Sequence, residues 1–160
     1  MICYIGLGSN LDEPKEQLYR ALQRLKNETG IELLKVSSFY QSKALTLPGT
    51  AQQNDYINAV AQLQTSLSAQ QLLLKLHKIE AAHGRERQEK WGSRTLDLDI
   101  LLYGEKIIQS EILIIPHSQI ALRNFVIHPL FEIAGAIEIP GVACLADLAG
   151  KTSWDGLLKC

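Results

Sequence analysis

Residues 91–104 read WGSRTLDLDILLYG, and within them TLDLDILLY, Thr95 to Tyr103, poses the chain's central problem. Leu96, Leu98, Ile100, Leu101 and Leu102 form a run that reads as a buried strand, yet Asp97 and Asp99 stand inside it. Taking an unpaired carboxylate out of water costs several kcal/mol, comparable with the net stability of a whole domain. Strand side chains alternate between faces at a rise of ~3.3 Å per residue, so the two acids project from one face, roughly 6–7 Å apart. Leu96, Leu98 and Ile100 then line the other face, against a core.

Working outward, Ile2–Leu7 reads as a buried strand closed by Gly8, Ser9 and Asn10. Asp12 offers an N-cap before Pro14; Leu18, Ala21, Leu22 and Leu25 recur on one helix face, and Gly30 is the stop. IELLKVSSFYQS (31–42) and DYINAVAQLQT (55–65) read as two strands separated by a segment containing Pro48 and Gly49. Ser68 and Gln71 make a capping box, and Leu72, Leu76, Ile79 and His83 continue a helical stripe to Gly84. The run TLDLDILLY is a fourth strand, which Gly104 turns into a hairpin with residues 106–108. The resulting order, βαββαβ, is the signature of a ferredoxin-like α+β sandwich with its helices on one face of a largely antiparallel sheet. Residues 112–160 read as a C-terminal extension of this core: a strand and loop over 113–125, a short helix opening at Pro129, and another over 144–150. No linker or repeat divides the chain, so one domain spans 1–160.

Composition narrows the function. An apolar fraction of 46% and a charged fraction of 21% are ordinary globular values. The net charge of −1 lacks the basic footprint of a general nucleic-acid binder and favours a small-molecule partner. Cys3, Cys144 and Cys160, odd in number and widely spaced, suit neither a disulfide framework nor a zinc site. The N-terminus has no basic region or cleavage site, and no apolar run approaches the ~20 residues of a membrane span. The expectation is a cytoplasmic protein with reduced thiols and neither nucleic-acid nor membrane partners.

Two carboxylates this close repel unless a cation lies between them, and magnesium, a hard ion that prefers oxygen, fills that role; two such ions ~3.5–4 Å apart fit the spacing. Upstream, Arg85, Arg87, Lys90 and Arg94 offer groups for phosphate oxygens, and Trp91 offers a flat face for a ring. The same loop suits a lid. Downstream lie His117, Arg123 and Phe125. Tyr56 and Asn58, two residues apart, share one strand face. His77 and Glu80 share one side of the second helix, facing solvent or the polar loop. The GLGSNL element is neither a dinucleotide turn nor a P-loop, and no nucleophile has a recognisable setting. Phosphate chemistry here would run on metals and arginines. Two other readings share these residues: a module that stacks RNA bases on Tyr56 and Phe125, and a metal-dependent nucleotide hydrolase.

The chain resembles the 6-hydroxymethyl-7,8-dihydropterin pyrophosphokinase family through GSNL (8–11), VSSFYQS (36–42), DYINAV (55–60), GRER (84–87), WGSRTLDLDILL (91–102), IPH (115–117) and HPLFEIA (128–134). The resemblance implies pyrophosphate transfer from ATP to the pterin hydroxymethyl oxygen in folate biosynthesis, releasing AMP. It implies two magnesium ions on Asp97 and Asp99, with Arg85 and Arg94 stabilising the transferring group. It places ATP against His77, Glu80, Arg87, Trp91, Arg94, Ile100, His117, Ser118 and Arg123. The pterin pocket would comprise Ser42, Lys43, Leu45, Tyr56, Asn58, Trp91, Asp97 and Phe125. It further implies a monomer whose loops close over ATP before the pterin binds. Ile112 and Ile114 stand where the family often carries polar, ATP-facing residues.

Overall fold

The computed structural model describes residues 1–11, 13–43, 55–83 and 96–160. The elements in chain order are β1 (Ile2–Ser9), α1 (Pro14–Asn27), β2 (Ile31–Val36), β3 (Tyr40–Ser42), β4 (Tyr56–Thr65), α2 (Ala69–Ala82) and β5 (Asp97–Tyr103). There follow β6 (Ile108–Gln109), β7 (Ile114–Ile115), α3 (Asn124–Ala134), β8 (Glu138–Ile139), β9 (Ala143–Cys144), α4 (Leu145–Lys151) and β10 (Leu157–Lys159). The main sheet runs β10-β3-β4-β1-β5, with β2 also paired to β4, and every pairing is antiparallel. Taking β2 and β3 as one interrupted strand recovers the expected βαββαβ order.

Three layers result. Alternate residues of β1 and β4, Cys3, Ile5, Leu7, Ile57, Ala59, Ala61 and Leu63, meet Leu18, Leu25, Leu72, Leu76 and Ile79 of α1 and α2 in one core. Burying each such leucine or isoleucine contributes ~1.5–3 kcal/mol. The capping box at Ser68 and Gln71 starts α2 with both reciprocal hydrogen bonds. Helices do not keep to one face, however. On the opposite face Tyr4, Val60, Leu101 and Leu102 pack with Val126, Ile127 and Leu130 of α3 and Leu145 and Leu148 of α4 in a second core. The extension is therefore the third layer of the sandwich.

Three local expectations change. Residues 31–42 break after Val36, because Ser37 takes over the ladder: its N–H donates to the Val60 carbonyl at 2.8 Å and its Oγ accepts from the Val60 N–H at 2.9 Å. Gly104, at φ 56°, does not turn β5 into a hairpin with 106–108; its N–H donates to Ile2 O at 2.7 Å, and β6 pairs with β7. The helix expected to open at Pro129 starts at Asn124 with Pro129 inside it, since burial of Val126, Ile127 and Leu130 outweighs the one backbone bond a proline removes. The Asp12 cap, Pro48, Gly49 and Gly84 lie outside the described residues; Glu13, at φ 61°, precedes α1 without a side-chain cap.

Glu132 of α3 ties the third layer to β3. Its Oε2 accepts from the Ser38 N–H at 2.7 Å and from Ser38 Oγ at 3.0 Å, and its Oε1 from the Tyr40 hydroxyl. Burial opposes the charge, but these donors and Lys159 hold the Glu132 pKa below the ordinary carboxylate value. A depressed folded-state pKa gives stabilisation that is full above the unfolded pKa and lost as pH falls through the folded one. Because Glu132 is exposed, the effect is modest. Glu132→Gln is expected to lower Tm by about 2–4 °C at neutral pH. Thermal scans should show the gap from wild type closing below about pH 4.

Candidate active site

β5 is the outermost strand on its side of the sheet, bordered by β1 alone. Asp97 and Asp99 are half-buried and face away from α1 and α2, while Leu96, Leu98 and Ile100 join the first core, as their parity requires. In register, Gly8 pairs with Asn58 on one side and Asp97 on the other, and Gly6 pairs with Asp99. Asn58 and Asp97 therefore flank a bare strip of backbone two strand spacings wide, ~9.5 Å. A Cβ on Gly8 would sit 3.2 Å from Asn58 Oδ1, so glycine leaves room beside that amide oxygen. The sequence places Gly8 at the close of the first strand, whereas β1 runs through it to Ser9; the usable signal is glycine inside a strand, which marks close backbone approach.

On the β3–β4 side, Asn58 is 5% exposed and its Nδ2 donates to Ser42 Oγ at 2.7 Å. Tyr56 shares Asn58's face, at the entrance of β4, and the exposed Lys43 follows Ser42. Phe125 lies in the first turn of α3, packed against the second core, with the Arg123 guanidinium 5.6 Å from its ring centre.

On the outer side of β5 a cleft of about 280 Å³ opens, with His77, Glu80, both aspartates, His117 and Ser118 in its walls. Ile112 and Ile114, both exposed, also line it, giving an apolar rim where polar residues were expected. Glu80 does not face solvent: it is 2% exposed, and its Oε2 accepts from the Leu98 N–H at 2.9 Å. This bond pins the strand between the two aspartates. By antiparallel alternation the Ile100 N–H and C=O point outward as well, into the cleft. His117 follows a cis Ile115–Pro116 bond, and its N–H donates to Leu101 O at 3.0 Å. Its Nδ1 accepts from the Gln119 N–H at 3.1 Å, which leaves Nε2 as the proton-bearing nitrogen, 4.0 Å from Asp99 Oδ2. Burial and the Arg123 charge lower the His117 pKa against an opposing pull from Asp97, so the ring is a neutral donor at neutral pH.

Leu45, Arg85, Arg87, Lys90, Trp91 and Arg94 lie outside the described residues. Among the described residues no three His, Cys, Asp or Glu side chains gather as a metal cage. Two carboxylates on an open strand suit an ion that takes one or two protein oxygens and completes its shell with phosphate and water, as magnesium does. All three cysteines are free thiols. Among the described residues no helix is long and apolar enough to cross a membrane.

A ferredoxin-like sandwich with an acidic pair at the edge of its sheet, across Gly8 from the Asn58–Ser42 hydrogen bond and beside an open cleft, suits an enzyme of phosphoryl-group transfer. The profile of the family described as 7,8-dihydro-6-hydroxymethylpterin-pyrophosphokinase (HPPK) matches residues 4–135. The 2-amino-4-hydroxy-6-hydroxymethyldihydropteridine pyrophosphokinase of Haemophilus influenzae is 50% identical over 156 residues, covering 98% of this chain and 96% of that protein. The Pseudomonas aeruginosa protein of the same name is 40% identical over 154 residues, covering 96% and 93%. The crystal structure of wild-type Plasmodium falciparum HPPK-DHPS with pterin and p-hydroxybenzoate shares the fold at a TM-score of 0.71 and 13% identity, over 94% of this chain and 42% of that longer one. The chain belongs to the HPPK family, whose members transfer a pyrophosphoryl group to 6-hydroxymethyl-7,8-dihydropterin in folate biosynthesis.

Proposed function

We propose that the chain, acting as one unit over 1–160, takes the diphosphate from ATP, passes it to the pterin hydroxymethyl oxygen and releases AMP. The observation that supports this is the position of Asp97 and Asp99, in the wall of the cleft under His117 and, across Gly8, beside the hydrogen-bonded Asn58 and Ser42. In this reading the nucleotide enters the outer cleft, where the Ile100 backbone meets its base. His117 Nε2 donates to a phosphate oxygen, while His77, Glu80, Ser118 and Arg123 line the remainder. The pterin lies over Gly8, its polar edge read by Asn58 and Ser42, its ring held by Tyr56 and Phe125, with Lys43 and Leu45 at the border.

Asp97 and Asp99 would hold two magnesium ions, which supply charge neutralisation along the phosphates. Transfer through a loose transition state asks for alignment and electrostatic balance more than for a strong base. Arg85 and Arg94 would serve that balance, and Arg87 and Trp91 would contact the substrates, as the family resemblance implies. The enzyme is proposed to work as a cytoplasmic monomer.

Titrating the pterin with and without a non-hydrolysable ATP analogue and magnesium tests this. Binding is expected to tighten markedly when both are present, and AMP should form from ATP only when pterin is added. AMP formation at equal rates without pterin would make the protein a hydrolase instead.

A further inference from the structure

We propose that residues 152–160 form a strap that positions the two protein walls of the pterin pocket, with Asn124 and Trp154 as its positioning residues. This rests on the assignment of Ser42 and Phe125 to that pocket. The strap lies beyond the residues matched by the family profile.

The strap binds both walls: its first half is anchored on α3, where Trp154 also lies 6.2 Å, centroid to centroid, from the Tyr40 ring of β3, and its second half pairs with β3. Asn124, the neighbour of Arg123 and Phe125, donates through Nδ2 to Ser153 O at 3.2 Å and to Asp155 O at 2.9 Å. One turn along α3, the buried His128 ring stacks on Trp154 at 3.7 Å between centroids and 11° between planes. His128 Nε2 reaches Thr152 O at 3.1 Å and Ser153 O at 3.3 Å. The chain then reverses: the Leu157 N–H donates to Trp154 O at 3.0 Å, a turn whose third residue, Gly156, has φ 71°.

Past the turn, β10 pairs with β3 so that Leu157 stands opposite Ser42, and the Cys160 N–H donates to Phe39 O at 2.9 Å. β3 has only three residues and is held between β4 and β10. Without the strap it becomes a three-residue edge, and the first turn of α3 loses its two side-chain anchors. The nine residues thus act together with the direct Glu132 link to hold β3, with Ser42, and the first turn of α3, with Phe125, at their spacing. A misplacement on the scale of ~1 Å is enough to weaken a built site.

Asn124→Ala and Trp154→Ala are each expected to raise the pterin KM about five- to tenfold, while kcat stays within about twofold; this is the scale of one or two lost anchoring interactions. Trp154→Phe keeps the stack and should restore the pterin KM. A strap that only stabilises would lower Tm and leave the pterin KM unmoved, and that result overturns the proposal. If the wild type forms no AMP, the functional reading fails, and amide hydrogen exchange in Asn124→Ala decides the strap by itself. Faster exchange at both 40–42 and 124–127, with α2 unchanged, supports it; unchanged exchange at either wall rejects it.

Discussion

Asp97→Asn is expected to lower AMP formation from ATP and hydroxymethyldihydropterin by at least ~10³-fold, the scale of deleting one preorganised electrostatic group. Asparagine preserves the shape of the side chain and removes its charge, and the half-buried position on β5 tolerates either form, so the fold should be retained. Asp97→Ala should behave nearly the same, because the lost property is charge. Asp97 is the acid that stands across Gly8 from Asn58, on the side proposed for the pterin, whereas Asp99 pairs with Gly6 and approaches His117. The loss should therefore appear in kcat and not only in the ATP KM. Turnover near the wild-type rate in either variant would remove the metal role from this strand.

Asn58→Ala is expected to raise the pterin KM by ~10–100-fold, the range that follows when a buried donor or acceptor loses its partner. Asn58 is nearly inaccessible, its Nδ2 is committed to Ser42, and its Oδ1 borders the open strip over Gly8. Alanine would leave the Ser42 hydroxyl and the ligand's polar edge unpaired together. ATP binding, proposed for the cleft beyond β5, should change little, so separate titrations of nucleotide and pterin distinguish this loss from general damage. An unchanged pterin KM would place the pterin elsewhere.

The elements that matter most to the site were readable because period and parity are local. The alternation in β5 put the two acids on one face, and Tyr56 and Asn58 shared a face for the same reason. What escaped depended on partners distant in the chain. Nothing in the immediate sequence says that Ser37 will satisfy Val60 and divide a strand, or that Glu132 will accept from Ser38 and Tyr40. For Glu80, helical periodicity gives a direction, toward solvent or the polar loop, but not a neighbour; its carboxylate lies against the edge of β5, in the wall of the cleft. Pro129 misled for a related reason, since a helix-start preference is weaker than the apolar surface α3 buries.

β5 carries one residue more than β1 can pair: Tyr4 stands opposite Leu102 and Ile5 opposite Ile100, leaving Leu101 as the surplus. Before it, odd positions look toward the chemistry and even ones toward α1 and α2; after it, Leu102 and Tyr103 exchange those directions. Shortening the strand there by one residue would force a choice between acids over the ligands and side chains seated in both cores. Change at this point is confined to exchanging one residue for another or to even steps of length, because gaining or losing a single residue would turn half of the strand inside out.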